Sequence, residues 1–149
     1  PVRAASSAAD CVAGADIAVT ATNSADPVLM GDWLAPGTHV NAIGANAYAR
    51  RELDEAAILN AGTVAVDDRE QARVEARELI DLAAGGRLDW DDVAELGAIV
   101  QGRTPGRRSA QDITVFKSLG VALEDVAFGR LIYDRALAAG VGKEIIAPE

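Results

Sequence analysis

At 149 residues, 50% hydrophobic and only 4% aromatic, the chain holds enough Ala, Val, Ile and Leu for one ordinary core, which argues against disorder and for a single domain of helices packed on a sheet. A net charge of −9 argues against nucleic acid as a partner, which demands a clustered positive surface, but leaves room for an anionic cofactor bound through backbone N–H groups. A lone Cys11 makes neither an internal disulfide nor a thiolate metal site, and no apolar run approaches the roughly 20 residues of a membrane span, so the expectation is a cytoplasmic protein with no membrane partner and no metal.

Residues 1–14 (PVRAASSAADCVAG) read as the end of a strand followed by a short Ala-rich helix, with Ser6 or Ser7 as N-cap and Gly14 in the C′ position. A doubly wound domain normally starts with a strand, a Gly-rich turn and a helix, and that unit does not stand in this sequence. Ile17 to Thr22 is β-branched and apolar on both faces, which predicts a central strand. Pro27 and Gly31-Asp32-Trp33-Leu34 predict a loop with a single helical turn, closed at Pro36-Gly37. His39 to Gly44 is the second strand, and Gly44-Ala45-Asn46 the turn after it. Arg50 to Asp54 leads into a helix with Leu53, Ala56, Ala57 and Leu59 on its apolar side. Gly62 ends that helix, and Thr63 to Val66 forms a third strand that runs into Asp67-Asp68. Strand, helix and strand at this spacing imply a parallel sheet with right-handed crossovers.

Asp68 caps the next predicted helix, in which Ala72, Ala76, Leu79, Ile80 and Ala83 share one face while Arg69, Arg73, Arg77, Glu78 and Asp81 fall elsewhere. Gly85-Gly86 stops it, and Glu75 lies on its flank. Asp89 opens a further helix with Val93, Leu96, Ile99 and Val100 inward, ending at Gly102. A basic loop, Thr104 to Ser109, precedes a short strand, Asp112 to Phe116. After Lys117-Ser118-Leu119-Gly120 a long helix runs to about Ala139, with Leu119, Leu123, Val126, Ala127, Leu131 and Ile132 on its apolar side, and Glu144 to Ile146 reads as a short strand.

The chemistry collects where strands end. Ligands of open α/β sheets bind outside the carboxyl ends of the strands. There, Thr20-Ala21-Thr22-Asn23-Ser24 and Gly44-Ala45-Asn46 combine small residues, over which a flat ring or ribose can reach the backbone, with hydroxyls and amides that donate and accept. Ordinary turn chemistry accounts for the same residues. At Phe116-Lys117-Ser118-Leu119-Gly120, free N–H groups and the Ser118 hydroxyl suit a nicotinamide, an amide or a phosphate, but a capped helix with a salt-bridged lysine explains the same residues and is the plainer reading of them. Asp67-Asp68 offers two carboxylates to a cation or ribose, or one N-cap. His39 has no metal-ligating neighbours in sequence, Cys11 reads as a small apolar filler, and Glu75 as half of a flank salt bridge. Arg103, Arg107 and Arg108 read as a solvated loop or a contact to an anion.

Taken together and in this order, ADIAVTATNSADPVL, GTHVNAIGANAYARRELD, VAVDD, AELGAIVQG and DITVFKSLGVALEDVAFGRLIYDRA resemble the ornithine cyclodeaminase/mu-crystallin family. The resemblance implies an α/β fold with a partial Rossmann-type parallel sheet, flanking helices and a long C-terminal helix. It further implies NAD or NADP as cofactor and a small amino or imino acid as substrate. Residues 1–116 would belong to the NAD(P)-binding domain, and 117–149 would return toward an N-terminal dimerisation domain through which the protein is a homodimer. In the family, a glycine-rich fingerprint and a substrate-binding domain precede the region matching Pro1. The chain is therefore expected to be the C-terminal part of a longer protein and inactive alone.

By the same resemblance, Thr20, Ala21 and Thr22 line the cofactor cleft with Asn41, Ile43 and Gly44 on the next strand. Ser118 and Leu119 approach the nicotinamide end, and Lys117 belongs to the signature without an assigned contact. One departure discriminates between activities. Cyclodeaminases and some amino-acid dehydrogenases of the family carry an aspartate where Asn46 stands, and an amide exchanges no proton near neutral pH. As the candidate catalytic residue, Asn46 therefore orients substrate or water. That favours a ketimine reductase or amino-acid dehydrogenase over an ornithine cyclodeaminase-type lyase, with a non-catalytic mu-crystallin-like binder as the third reading.

Overall fold

The computed structural model describes residues 2–143 and Ile145. Five strands, β1 (Ile17–Thr20), β2 (His39–Ala42), β3 (Thr63–Val66), β4 (Val93–Glu95) and β5 (Thr114–Lys117), form one parallel sheet in the order β1-β2-β5-β3-β4. The accompanying helices are α1 (Ala8–Val12), α2 (Glu55–Leu59), α3 (Arg69–Glu75), α4 (Arg77–Ala84), α5 (Leu96–Val100) and α6 (Ala122–Ala139), with 3-10 turns at Gly31–Trp33 and Trp90–Asp92. This is the parallel α/β architecture that the alternation of short β-branched runs and helical stretches predicts.

The core lies on one face of the sheet. Strand residues point alternately to opposite faces, and Ala18, Val40, Ala42, Val64, Val66 and Val115 turn inward to meet Leu53, Ile58, Leu79 and Leu82. Each large side chain so buried contributes about 1.5–3 kcal/mol of transfer free energy. Asp54 caps α2 by accepting from the Ala57 N–H at 2.9 Å, and its same oxygen accepts from the Gly31 N–H at 2.8 Å, tying the 3-10 turn to the helix. Asp68 caps α3 as expected, accepting from the Gln71 N–H at 2.7 Å, and Ser7 caps α1.

Several expectations are corrected. Residues 2–5 form no strand before α1, and Cys11 is exposed, not buried as filler. β1 stops at Thr20 and, among the described residues, pairs with β2 alone at the edge of the sheet and not at its centre; Ile17 is 63% and Val19 59% exposed on the face opposite the core. β2 likewise stops at Ala42, while β5 is shifted to Thr114–Lys117. Leu53 precedes α2, forming a bridge with Leu29, and Ile58 fills the core where Leu59 had been expected.

The helix after Asp68 breaks in two at Ala76, which is fully buried with φ −83° and ψ 82°. The Leu79 and Ile80 N–H groups both donate to its carbonyl, so the chain restarts a helix without glycine or proline. Glu78, which the spacing sets off the apolar face, is buried. The stretch after Asp89 is not one helix. Val93, Leu96, Ile99 and Val100 imitate a 3.6-residue period, but Val93 to Glu95 pair with Val64 to Val66 and become β4, because backbone groups beside an open strand are satisfied by extending the sheet. After the 3-10 turn at Trp90–Asp92 only Leu96–Val100 is α-helical, and Val100 is exposed.

α6 has the predicted length, closed by Gly140 in the left-handed conformation at φ 63°. No described residue of α6 is buried, and Leu123, Val126, Phe128, Leu131 and Ile132 present their apolar surface outward. Leu119, grouped with them in the sequence, instead joins the core ahead of the helix. The strand expected over 144–146 rests on Glu144 and Ile146, which lie outside the described residues.

Candidate functional site

Because every strand is parallel, all carboxyl ends open at one edge. β1, β2 and β5 are neighbours there, and the register sets Thr20, Ala42 and Lys117 in one row across the sheet. Beyond that row the Ile43 N–H donates to the Thr20 carbonyl at 2.9 Å and the Ser118 N–H to the Ala42 carbonyl at 3.0 Å. Loops 20–24, 43–46 and 118–120 are thereby brought side by side.

A single carboxylate joins two of them. Glu52 is fully buried; its Oε1 accepts from the Thr22 N–H at 2.6 Å and the Thr22 hydroxyl at 2.9 Å, and its Oε2 from the Gly44 and Ala45 N–H groups at 2.8 and 3.0 Å. Its own backbone is pinned as well. The carbonyl accepts from the Val28 and Leu29 N–H groups, and the N–H donates to Glu78 Oε1 at 3.3 Å. Burial pushes the Glu52 carboxyl upward, but the bonds from Thr22, Ala45 and Gly44 outweigh it and hold the group below its ordinary value, so it is ionised. Gly44 is needed here for closeness: a Cβ at this position would collide with the Thr22 backbone and with Glu52.

Lys117 supplies the cation. Its side chain is wholly buried at the end of β5, donates to the Ala45 carbonyl and stands 3.9 Å from Glu78 Oε1. Burial lowers its pKa, and the charges of Glu78, Glu52 and Asp67 oppose that shift. Asp67 organises the third loop: its Oδ2 accepts from the Ser118 hydroxyl at 3.0 Å and from the Leu119 and Gly120 N–H groups, each at 2.8 Å. Those donors are committed to protein, which corrects the expectation that they stand free, and α6 itself begins beyond them at Ala122.

The other anticipated residues separate into groups. Thr20 is buried, and its hydroxyl has no hydrogen-bond partner among the described residues. Ala21, Thr22, Ile43 and Asn46 are exposed at the edge, and Gly44 is half-buried between them. Asn41 lies within β2 on the opposite face from Thr20, its Oδ1 3.3 Å from His39 Nε2, so it does not converge with the loops. Ser118 is half-buried, and Leu119 points into the core. Glu75 accepts from Gln71 Nε2 at 3.0 Å rather than from an arginine, and Arg107 donates to the Thr114 hydroxyl at 3.0 Å. An open concavity of about 740 Å³ beside Arg73, Arg87 and Trp90 lies along α3 and α4, away from this edge.

Sequence reasoning gave Glu52 and Glu78 no role at the site and Lys117 no cofactor contact, although its alternative of a salt-bridged lysine holds, with Glu78 as the partner. Glu52 follows Arg50-Arg51 and reads as part of a solvated charge run. Glu78 carried a faint signal, since it stands four residues before the core residue Leu82 and beside Leu79.

Comparison with known proteins agrees with this fold. The ketimine reductase mu-crystallin of Mus musculus is 39% identical over 133 residues, 89% of this chain and 40% of that protein. The Δ1-pyrroline-2-carboxylate reductase of Thermococcus litoralis, solved in complex with NADH and L-proline, has a TM-score of 0.84 and 36% identity, covering 93% of this chain and 43% of that one. An archaeal alanine dehydrogenase dimer with bound NAD gives a TM-score of 0.75 and 38% identity over 88% of this chain and 41% of that one. The chain thus spans less than half the length of each of these relatives. Residues 1–140 match the ornithine cyclodeaminase/mu-crystallin family, and the chain belongs to that family.

Proposed function

We propose that the complete protein is an NAD- or NADP-dependent oxidoreductase that interconverts an amino acid and its imine, as an imino-acid or ketimine reductase or an amino-acid dehydrogenase. The observation that carries this reading is the match, over nearly the whole chain, to a reductase seen with NADH and L-proline. The residues present fit a dinucleotide at the carboxyl edge. The Thr20 hydroxyl is buried there without a partner among the described residues, and Ala21 beside it adds no bulk.

In this reading Thr20, Ala21, Thr22, Ile43 and Gly44 hold the cofactor, while Asn41, within β2 and beside His39, stands behind them. Ser118 and Leu119, fixed by Asp67, form a wall toward the nicotinamide end rather than a set of free donors. A bound nicotinamide supplies or accepts the hydride. Exposed Asn46 orients substrate or water through its amide and takes no proton near neutral pH. Glu52 keeps the loops of β1 and β2 at fixed separation, so the groups they present are set before ligand arrives.

Of the segment 117–149, Lys117 to Gly120 stay with the sheet and its core, and from α6 onward the chain forms, in the same reading, the arm that returns to a further domain of a cytoplasmic homodimer. The outward apolar surface of α6 supports this, as does the dimeric archaeal alanine dehydrogenase. The test is turnover by the full-length protein with NADH and NADPH against Δ1-pyrroline-2-carboxylate and open-chain imino acids. Oxidation of cofactor in step with substrate loss is expected. Ammonia release from ornithine with no net change in cofactor would replace the reading with a cyclodeaminase, and tight nucleotide binding without turnover would replace it with a binding protein.

A further inference from the structure

We infer that Glu52 and Lys117 are positioning residues that set Asn46 from behind, an inference that rests on the oxidoreductase reading above. Ala45, the residue before Asn46, is 1% exposed, and its peptide groups are gripped on both sides by fully buried side chains of opposite charge. Its N–H donates to Glu52 Oε2 at 3.0 Å, and its carbonyl accepts from Lys117 Nζ. Asn46 follows immediately and is exposed. The far side of the loop is tied separately: the Tyr48 hydroxyl donates to Asp81 Oδ1 at 3.1 Å, and Arg51 pairs with Asp81.

Packing alone does not call for this arrangement. A buried ion pair costs desolvation, and well-packed apolar residues of similar volume commonly serve stability as well or better. What methionine or leucine could not supply is direction. Hydrogen bonds to ionised groups are roughly twice as strong as neutral ones, and two of them acting on opposite sides of one residue fix the rotation of the peptide that leads into Asn46. Neither Glu52 nor Lys117 reaches the surface, so both act through Ala45 and Asn46.

The experiment is a double-mutant cycle in the full-length protein, with NADH and Δ1-pyrroline-2-carboxylate as probe. Lys117→Met keeps the apolar stem and removes the donor to the Ala45 carbonyl. It is expected to lower kcat about 10–100-fold, as displacement of a positioned group does, while KM for NADH moves less than about threefold. Asn46→Ala should lower kcat similarly, and the double variant should be no worse than Asn46→Ala alone. Effects that multiply, or an Asn46→Ala variant with unaltered kcat, overturn the inference.

Hydrogen exchange of the wild-type Gly44 and Ala45 amides, resolved by NMR, decides the matter independently of variant folding and of turnover. Protection matching the core strands is expected, and free exchange overturns the clamp. A wild-type protein that turns over no imino acid but protects both amides would sink the oxidoreductase reading while leaving the clamp in place.

Discussion

Glu52 and Asp67 do the same job in different surroundings. Each stands at the carboxyl edge, and each accepts several hydrogen bonds from a loop distant in sequence. Asp67 is half-buried and gathers Ser118, Leu119 and Gly120 onto one oxygen. Glu52 is sealed from water, divides its bonds between two loops and has Lys117 and Glu78 behind it. A carboxylate that retains water can lose a partner and be resolvated. One that is sealed cannot, so the two clamps differ in what their loss costs.

The largest difference is expected on truncation. Glu52→Ala leaves the Thr22, Gly44 and Ala45 N–H groups without their acceptor and Lys117 short of compensating charge, which should cost about 3–5 kcal/mol by urea unfolding. Asp67→Ala should cost about 1–3 kcal/mol, since water replaces the lost acceptor in part. Equal losses at the two positions would remove the distinction drawn from burial.

Titration sharpens the contrast. The folded-state pKa of Glu52 is depressed, so its contribution is present above the ordinary carboxylate value and lost as pH falls through the folded value. Lys117 is also depressed, by burial. Between its folded value and the ordinary lysine value the unfolded chain holds a proton that the fold has released, and stability therefore rises with pH across that window. Unfolding free energies measured from acid to alkaline pH should show both slopes. Glu52→Gln should flatten the acid one, and Lys117→Met the alkaline one.

These two clamps also mark where sequence reading reaches its limit. β3 was legible to the residue because a β-branched run stands between Gly62 and Asp67, and the loops bearing Thr22 and Asn46 declared themselves through hydroxyls and amides at strand ends. β4 was hidden because its apolar spacing obeys a helical period, and only the neighbouring strand decided otherwise. Glu52 and Lys117 were hidden for a longer-range reason. Nothing near Glu52 in sequence distinguishes it from Arg50 and Arg51, and one of the groups that bonds it, Thr22, lies 30 residues away, while Lys117 meets Ala45 across 72 residues. Local pattern reports which residues face inward along an element; it does not report which charges the topology will bring together.

The smallest effects separate the two threonines of the β1 end, and they bear most directly on the ligand. The Thr22 hydroxyl is committed to Glu52 at 2.9 Å, so Thr22→Val should cost about 1–2 kcal/mol of stability by leaving a charged acceptor short of a donor. The Thr20 hydroxyl is buried with no partner among the described residues, so Thr20→Val removes a polar atom they leave unsatisfied and should change unfolding free energy by no more than about 0.5 kcal/mol, or raise it slightly. If that hydroxyl waits for the dinucleotide, the same substitution should weaken NADH binding to the full-length protein about 2–10-fold by calorimetry, the range of one neutral hydrogen bond. Stability unchanged with binding weakened places Thr20 against the cofactor. Binding unchanged would leave its orphaned oxygen without a functional partner and move the cofactor's polar contacts to the backbone of Ala21 and Gly44.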